Sequence, residues 1–254
     1  MIYGWCRLCI KNFQPFSKRI SKLLCANFVL GCLLLCSVAC APFAFNQNTS
    51  GSLKLQQAPK ANLTYVAIGA SDTFGIGADD PQTESWPSDL STLLGKNVRL
   101  INLGIPDIHV HNALSVEVPV ALDAHPGLVT IWLAVNDLAD NVPLTSYSHD
   151  LNLLLTRLQA AAPHARIAVA NVPDVTLLPH FQSYDKQALR TQILAYNDAI
   201  ASIVSAHHVL LVDLYRSELA QHPEYISSDG FHPSTIGYTR VAEIFYQVLK
   251  TDAP

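Results

Sequence analysis

Cysteine is missing from most of this chain. All six, Cys6, Cys9, Cys25, Cys32, Cys36 and Cys40, fall within the first forty of 254 residues. Nothing after Cys40 can therefore form a disulfide, act as a thiolate nucleophile or give a metal a thiolate ligand, which excludes cysteine-protease and zinc-ribbon chemistry. Acidic residues are missing from the other end of the charge scale: residues 1–50 hold Arg7, Lys11, Lys18, Arg19 and Lys22 and no Asp or Glu. The remainder carries eleven bases against twenty acids, so the net charge of −4 hides a basic start and an acidic body. An acidic body repels phosphate backbones, which argues against nucleic acid as a partner. Internal repeats are lacking too.

The basic start reads as an export signal. Its bases run up to Lys22, an apolar run covers Leu23 to Leu35, and Ser37-Val38-Ala39 precedes Cys40. Small residues at that place suit a signal peptidase. The same place is close to a bacterial lipobox, in which the cysteine after the cut is acylated, although Ser37 stands where that pattern wants Leu or a similar residue. A third reading is an uncleaved anchor helix, because Leu23 to Phe45 approaches the length that spans a bilayer. Each reading places the body outside the cytoplasm, anchored or secreted, with membrane association only through the N-terminal segment. The expected organisation is a signal or anchor over 1–40, a tether over 41–62 that is polar from Asn46 to Ala61, and one domain over 63–254, long enough to bury its own core.

Within the body, short apolar runs alternate with longer amphipathic stretches. Leu63–Ile68, Val98–Asn102, Leu128–Leu133, Arg166–Ala170 and Val209–Val212 are strand candidates, rich in β-branched residues and apolar on both faces. Helix candidates lie between and after them. Over Asp185–His207, Leu189, Ile193, Tyr196, Ile200 and Ile203 form one apolar stripe; Asp150–Ala162 repeats the pattern with Leu151, Leu154, Leu155 and Leu158, and Thr235–Leu249 closes the chain. Such alternation predicts an α/β domain of three layers, a parallel sheet covered by helices on both faces. In that architecture chemistry collects beyond the carboxyl ends of the strands, so candidate residues should follow strands.

Four segments do. Gly69-Ala70-Ser71-Asp72-Thr73 follows the first strand, where Gly69 permits an unusual backbone and Ser71 projects from a tight turn. A serine hydroxyl is a weak nucleophile without a base. Asp229 stands three residues ahead of His232, close enough to accept the Nδ1 proton and leave Nε2 for the serine. Gly104 ends the second strand and Asn136 follows the third; a backbone amide and a side-chain amide there can hold a developing oxyanion. Singly, each has a commonplace reading as a turn or capping residue. The Gly-x-Ser-x-Gly elbow of α/β-hydrolases is absent, so that fold is disfavoured.

Taken in order, these blocks resemble the SGNH, or GDSL-type, hydrolase family, from Leu63 to Leu249 and so over nearly the whole body. The resemblance implies a flavodoxin-like α/β/α sandwich with five parallel strands and no cofactor. It implies Ser71 as nucleophile, His232 as base, Asp229 as its orienting acid, and the amides of Ser71 and Gly104 with the Asn136 side chain as oxyanion hole. It also implies a carboxylic-ester hydrolase working through an acyl-enzyme. The substrate would be a small acyl ester, a lipid or an acylated glycan, with an O-deacetylase or thioesterase on the same site as alternatives. Three departures stand out: Ala70 where the family name implies Asp, Ala134 two residues before Asn136, and no further glycine after Gly104. Ala70 and Ala134 motivate a rival of another class, a non-catalytic surface lipoprotein that keeps the fold as a binding module. Asp72 either replaces lost polar contact or caps the next helix.

Other features invite misreading. His109 and His111 are two apart at a predicted helix start, where side chains diverge, which argues against a metal pair. His207 and His208 end a long helix, where a cation meets the negative end of its dipole. Val175 to Pro179, with Phe74 and Trp86, either lines an acyl pocket or belongs to the core.

Overall fold

The structure, a computed structural model, describes residues 62–251. The signal and anchor readings, the tether except for residue 62, and all six cysteines lie outside the described residues. Five strands, β1 (Leu63–Gly69), β2 (Val98–Asn102), β3 (Leu128–Trp132), β4 (Arg166–Ala170) and β5 (Leu210–Val212), form one all-parallel sheet in the order β2-β1-β3-β4-β5. This is the flavodoxin-type order, and the chain reverses direction across the sheet at β1 and β3. β1 is flanked by both neighbours, with Ala67 opposite Asn102 of β2 and Gly69 opposite Trp132 of β3.

The period-two pattern of β1 divides the core. Val66, Ile68 and Ala70 face α3 (Val110–Asp123), α5 (Leu144–Ala161) and α6 (Lys186–Ala206). Tyr65 and Ala67 face α2 (Trp86–Leu94) and α7 (Thr235–Thr251). The second face is held by aromatic packing: Trp86 stacks on Phe245 at 4.3 Å and meets Trp132 edge-on at 6.2 Å. Truncating a buried ring of this kind costs about 3–5 kcal/mol, so Trp86 belongs to the core and does not line an acyl pocket.

Boundaries differ from expectation for local reasons. α5 starts at Leu144, six residues before Asp150, directly after Pro143, and fully buried Tyr147 extends its apolar stripe toward the N-terminus. Asp185 is the N-cap of α6: its Oδ1 accepts from the amides of Gln187 and Ala188 at 2.9 and 3.1 Å. β5 loses Val209, whose amide bonds back to Val204.

Candidate active site

Gly69 closes β1 and, after Ala70, Ser71 opens the one-turn helix α1 (Ser71–Phe74). Gly69 has no left-handed backbone; it is needed for space. A Cβ there would press into the Thr73 side chain and come within 2.8 Å of the Trp132 carbonyl oxygen. This corrects the expectation of an unusual backbone at Gly69. The turn is so tight that Thr73 folds over it, and Ser71 is left 5% exposed beyond the carboxyl end of β1.

From 161 residues away, His232 reaches this serine. The Ser71 Oγ lies 3.0 Å from His232 Nε2, and His232 Nδ1 lies 2.6 Å from Asp229 Oδ2. The other Asp229 oxygen accepts from the Ser227 hydroxyl at 2.7 Å and from the amides of Phe231 and His232 at 2.8 and 2.9 Å. Burial works against charge on this carboxyl, but the His232 ring and these three donors outweigh it and hold it well below the usual carboxylate range. An ionised carboxylate only accepts, so Nδ1 carries the ring proton and Nε2 accepts from the serine hydroxyl.

The loop bearing this pair is braced. Ser227 N bonds the His232 carbonyl, Gly230 turns in the left-handed region at φ 71°, and the Gly230 carbonyl accepts from His180 N. Phe231 packs on His180 at 5.1 Å, on Phe181 at 5.8 Å and on His232 at 4.6 Å. The apolar segment around Val175 to Pro179 therefore belongs mainly to this brace and the core: Val175, Leu178 and Phe181 are buried, while Leu177 and Pro179 are exposed. Phe74, the last residue of α1, is 46% exposed beside the nucleophile's turn.

The two oxyanion candidates come from the strands on either side of β1. Asn136 sits in α4 (Val135–Ala139), directly after β3, and gives one side-chain proton to the Ile108 carbonyl at 3.1 Å, which leaves its second N–H without a partner among the described residues. Gly104 follows β2 and packs against the backbone of α1, where a Cβ would come 2.6 Å from the Thr73 carbonyl carbon. Its amide differs from expectation: it donates to Asn102 Oδ1 at 3.0 Å, while Asn102 Nδ2 donates to the Thr73 carbonyl at 2.7 Å. Asn102 thus ties β2 to α1 and occupies the proton assigned to the oxyanion. Nearby Asp107 takes a left-handed backbone at φ 62°.

Asp72 does not cap a helix for another residue. Burial pushes its carboxyl up to about 6, a shift reduced by the neighbouring His232 and reinforced by Asp229. Sequence reasoning missed two further acids. Asp137, beside Asn136, accepts from Val110 N at 3.2 Å, and burial pushes it up to about 6. Glu117 of α3 is 1% exposed, and its Oε1 accepts from Gly69 N at 2.9 Å. An acid set between two valines in an apolar stretch was the available signal for Glu117. His109 and His111 diverge, to Asp140 and Asp150 respectively. His207, the C-cap of α6, bonds Gln159 and Asn152 of α5, so it links two helices besides meeting a dipole.

Comparison with known proteins places this geometry. The sequence model of the GDSL-like Lipase/Acylhydrolase family matches residues 67–240. A curated arylesterase of Vibrio mimicus is 26% identical over 199 residues, covering 77% of this chain and 92% of its own. Among solved structures, the chain is similar to the psychrotrophic esterase EstA from Pseudoalteromonas sp., with a TM-score of 0.59 at 19% identity over 75% of this chain and 98% of that one. It is also similar to a family 3 carbohydrate esterase of Clostridium thermocellum, with a TM-score of 0.57 at 21% identity over 74% and 96%.

Proposed function

Since the chain belongs to the GDSL-like lipase/acylhydrolase family, we propose that it hydrolyses carboxylic esters in two steps through an acyl-enzyme on Ser71, with His232 as base and Asp229 as the acid that orients it. The observation that carries this reading is the continuous path from Ser71 Oγ through His232 to Asp229 Oδ2, with bonds of 3.0 and 2.6 Å. The Ser71 oxygen attacks the ester carbonyl as His232 Nε2 takes its proton. The C–O bond to the alcohol then breaks, and His232 returns the proton to the leaving oxygen. Water repeats the sequence on the acyl-enzyme and releases the acid.

The negative oxygen of each tetrahedral intermediate rests on the Ser71 amide and the free Asn136 N–H, with Gly104 N contributing once Asn102 lets go of it. Each such donor is worth roughly 10²–10³ in rate. Asp229 stays ionised throughout and stabilises the imidazolium. No step calls for a cofactor or metal.

The arylesterase relative favours a small, simple ester as substrate. The likeness to a carbohydrate esterase favours O-deacetylation of a glycan as the second reading. Initial rates on p-nitrophenyl esters from acetyl to palmitoyl, set beside acetate release from acetylated xylan, separate the two. Activity that peaks on short or medium p-nitrophenyl chains supports the first, and xylan turnover with poor p-nitrophenyl rates overturns it. The basic start and the Cys40 site support export, with the body anchored through the N-terminus or secreted. The mass of the mature N-terminus tests this, since acylation at Cys40 adds the mass of its lipid and an intact leader refutes cleavage.

A further inference from the structure

Glu117 has no part in the reaction just described, yet it lies directly under the nucleophile's turn. Gly69 is past the last paired residues of β1 and β2, and its carbonyl accepts from Ile105 N in the loop that leaves β2. Its amide has no strand to bond and takes Glu117 Oε1 at 2.9 Å instead. The second Glu117 oxygen is buried and has no partner among the described residues, and neither has the Thr73 hydroxyl, which folds over Gly69 from α1. Two orphaned polar atoms around one turn are expensive, and an apolar side chain from α3 would fill the space at less cost. The hydrogen bond to the turn is what the carboxyl adds.

Resting on the ester-hydrolase reading, we infer that Glu117 is a positioning residue for Ser71: it fixes the Gly69 amide, and with it the start of α1, and it does so as an uncharged acid. A charge at this place would sit near the site where the oxyanion forms and would oppose it. The surroundings favour the neutral form, because burial pushes the carboxyl up to about 8 and only the Gly69 amide draws it back. Other titratable groups on the elements around α3 are turned elsewhere. Tyr65 of β1 bonds Thr130 on the opposite face of the sheet. On α5, Asp150 bonds His111 and Arg157 donates to the Leu114 carbonyl. On and beside α4, Asp137 accepts from Val110 N and Asp140 bonds His109, while Asp72 of α1 faces His232.

The test is the pH profile of kcat and KM on p-nitrophenyl acetate for the wild-type chain, Glu117→Gln and Glu117→Leu. In the wild type, kcat falls above pH 8, by about tenfold at pH 9, as the acid ionises, with KM little changed. Glu117→Leu removes the acceptor and lowers kcat at pH 7 by roughly tenfold or more. Glu117→Gln restores most of that loss, because its amide oxygen still accepts from Gly69 N, and it abolishes the alkaline fall because it has no proton to lose. A wild type that turns over without an alkaline fall, a Gln variant that keeps it, or a Leu variant with wild-type kcat overturns the role of Glu117 alone. A wild type that hydrolyses no ester at any pH overturns the functional reading and this role together.

Discussion

One methyl group added at Gly104 probes the coupling between α1 and the loop after β2. A Cβ at this position would stand 2.6 Å from the Thr73 carbonyl carbon and 2.9 Å from the Phe74 Cα, and closer still to the Phe74 nitrogen, where ordinary contact begins at 3.4 Å. All three are backbone atoms of the helix that begins at Ser71, so no side chain can swing away to make room. Relief of the closest contact requires α1 or its neighbouring loop to move by about 1 Å. A displacement of about 1 Å at a reacting group costs about 10² in rate. The backbone of Gly104 is outside the left-handed region, so the substitution adds crowding without torsional strain. Overpacking of this kind costs about 1–3 kcal/mol, which a domain with a total stability of about 5–15 kcal/mol survives. Gly104→Ala should therefore melt as a folded protein several degrees below the wild type, with kcat on p-nitrophenyl acetate reduced about 100-fold. A kcat within about threefold of the wild type would refute the coupling of this loop to the nucleophile.

Asp229→Asn offers His232 Nδ1 a neutral partner that can donate as well as accept, so the wrong ring tautomer is populated; kcat should fall by roughly 10³–10⁴ with KM within a few-fold, as initial rates will show. Asn136→Ala removes the free side-chain donor and should lower kcat by roughly 10²–10³ without changing the melting temperature much. The raised Glu117 acid makes stability depend on pH. The native chain holds the proton up to about 8 and the unfolded chain only up to its ordinary value of 4.5. That part of the stability is complete below pH 4.5 and is lost as pH rises through 8. Thermal melts from pH 5 to 9 should show the wild type declining relative to Glu117→Gln, and parallel curves would contradict a buried neutral acid.

The sheet was legible because its three inner strands, β1, β3 and β4, are largely buried on both faces. Leu128–Trp132 is buried throughout, and a run of that kind with β-branched residues has few other uses. The helices were read less well. α3 carries Pro119 in its interior, which breaks the usual pattern of a helix, and the early turns of α5 present Thr145, Ser146 and Ser148, which read as loop until Tyr147 is seen to be buried. The site divides in the same way. The Asp229 and His232 pair lies within three residues, so its bond could be anticipated, and the contact with Ser71 followed from the rule that chemistry gathers beyond the strand ends. The bond from the Gly104 amide to the side chain of Asn102 was not foreseen, being a matter of rotamer that no spacing reveals. Glu117 meets Gly69 across 48 residues, through a bond to the main chain that leaves no mark at Gly69.

The central claim is that Ser71 is a nucleophile made reactive by His232. Treating the folded protein with a fluorophosphonate probe and mapping the adduct by peptide mass tests it most directly. The account predicts one adduct on the peptide holding Ser71, slowed strongly in His232→Ala and absent in Ser71→Ala. A folded protein that takes no probe, or an adduct that persists in Ser71→Ala, would contradict it.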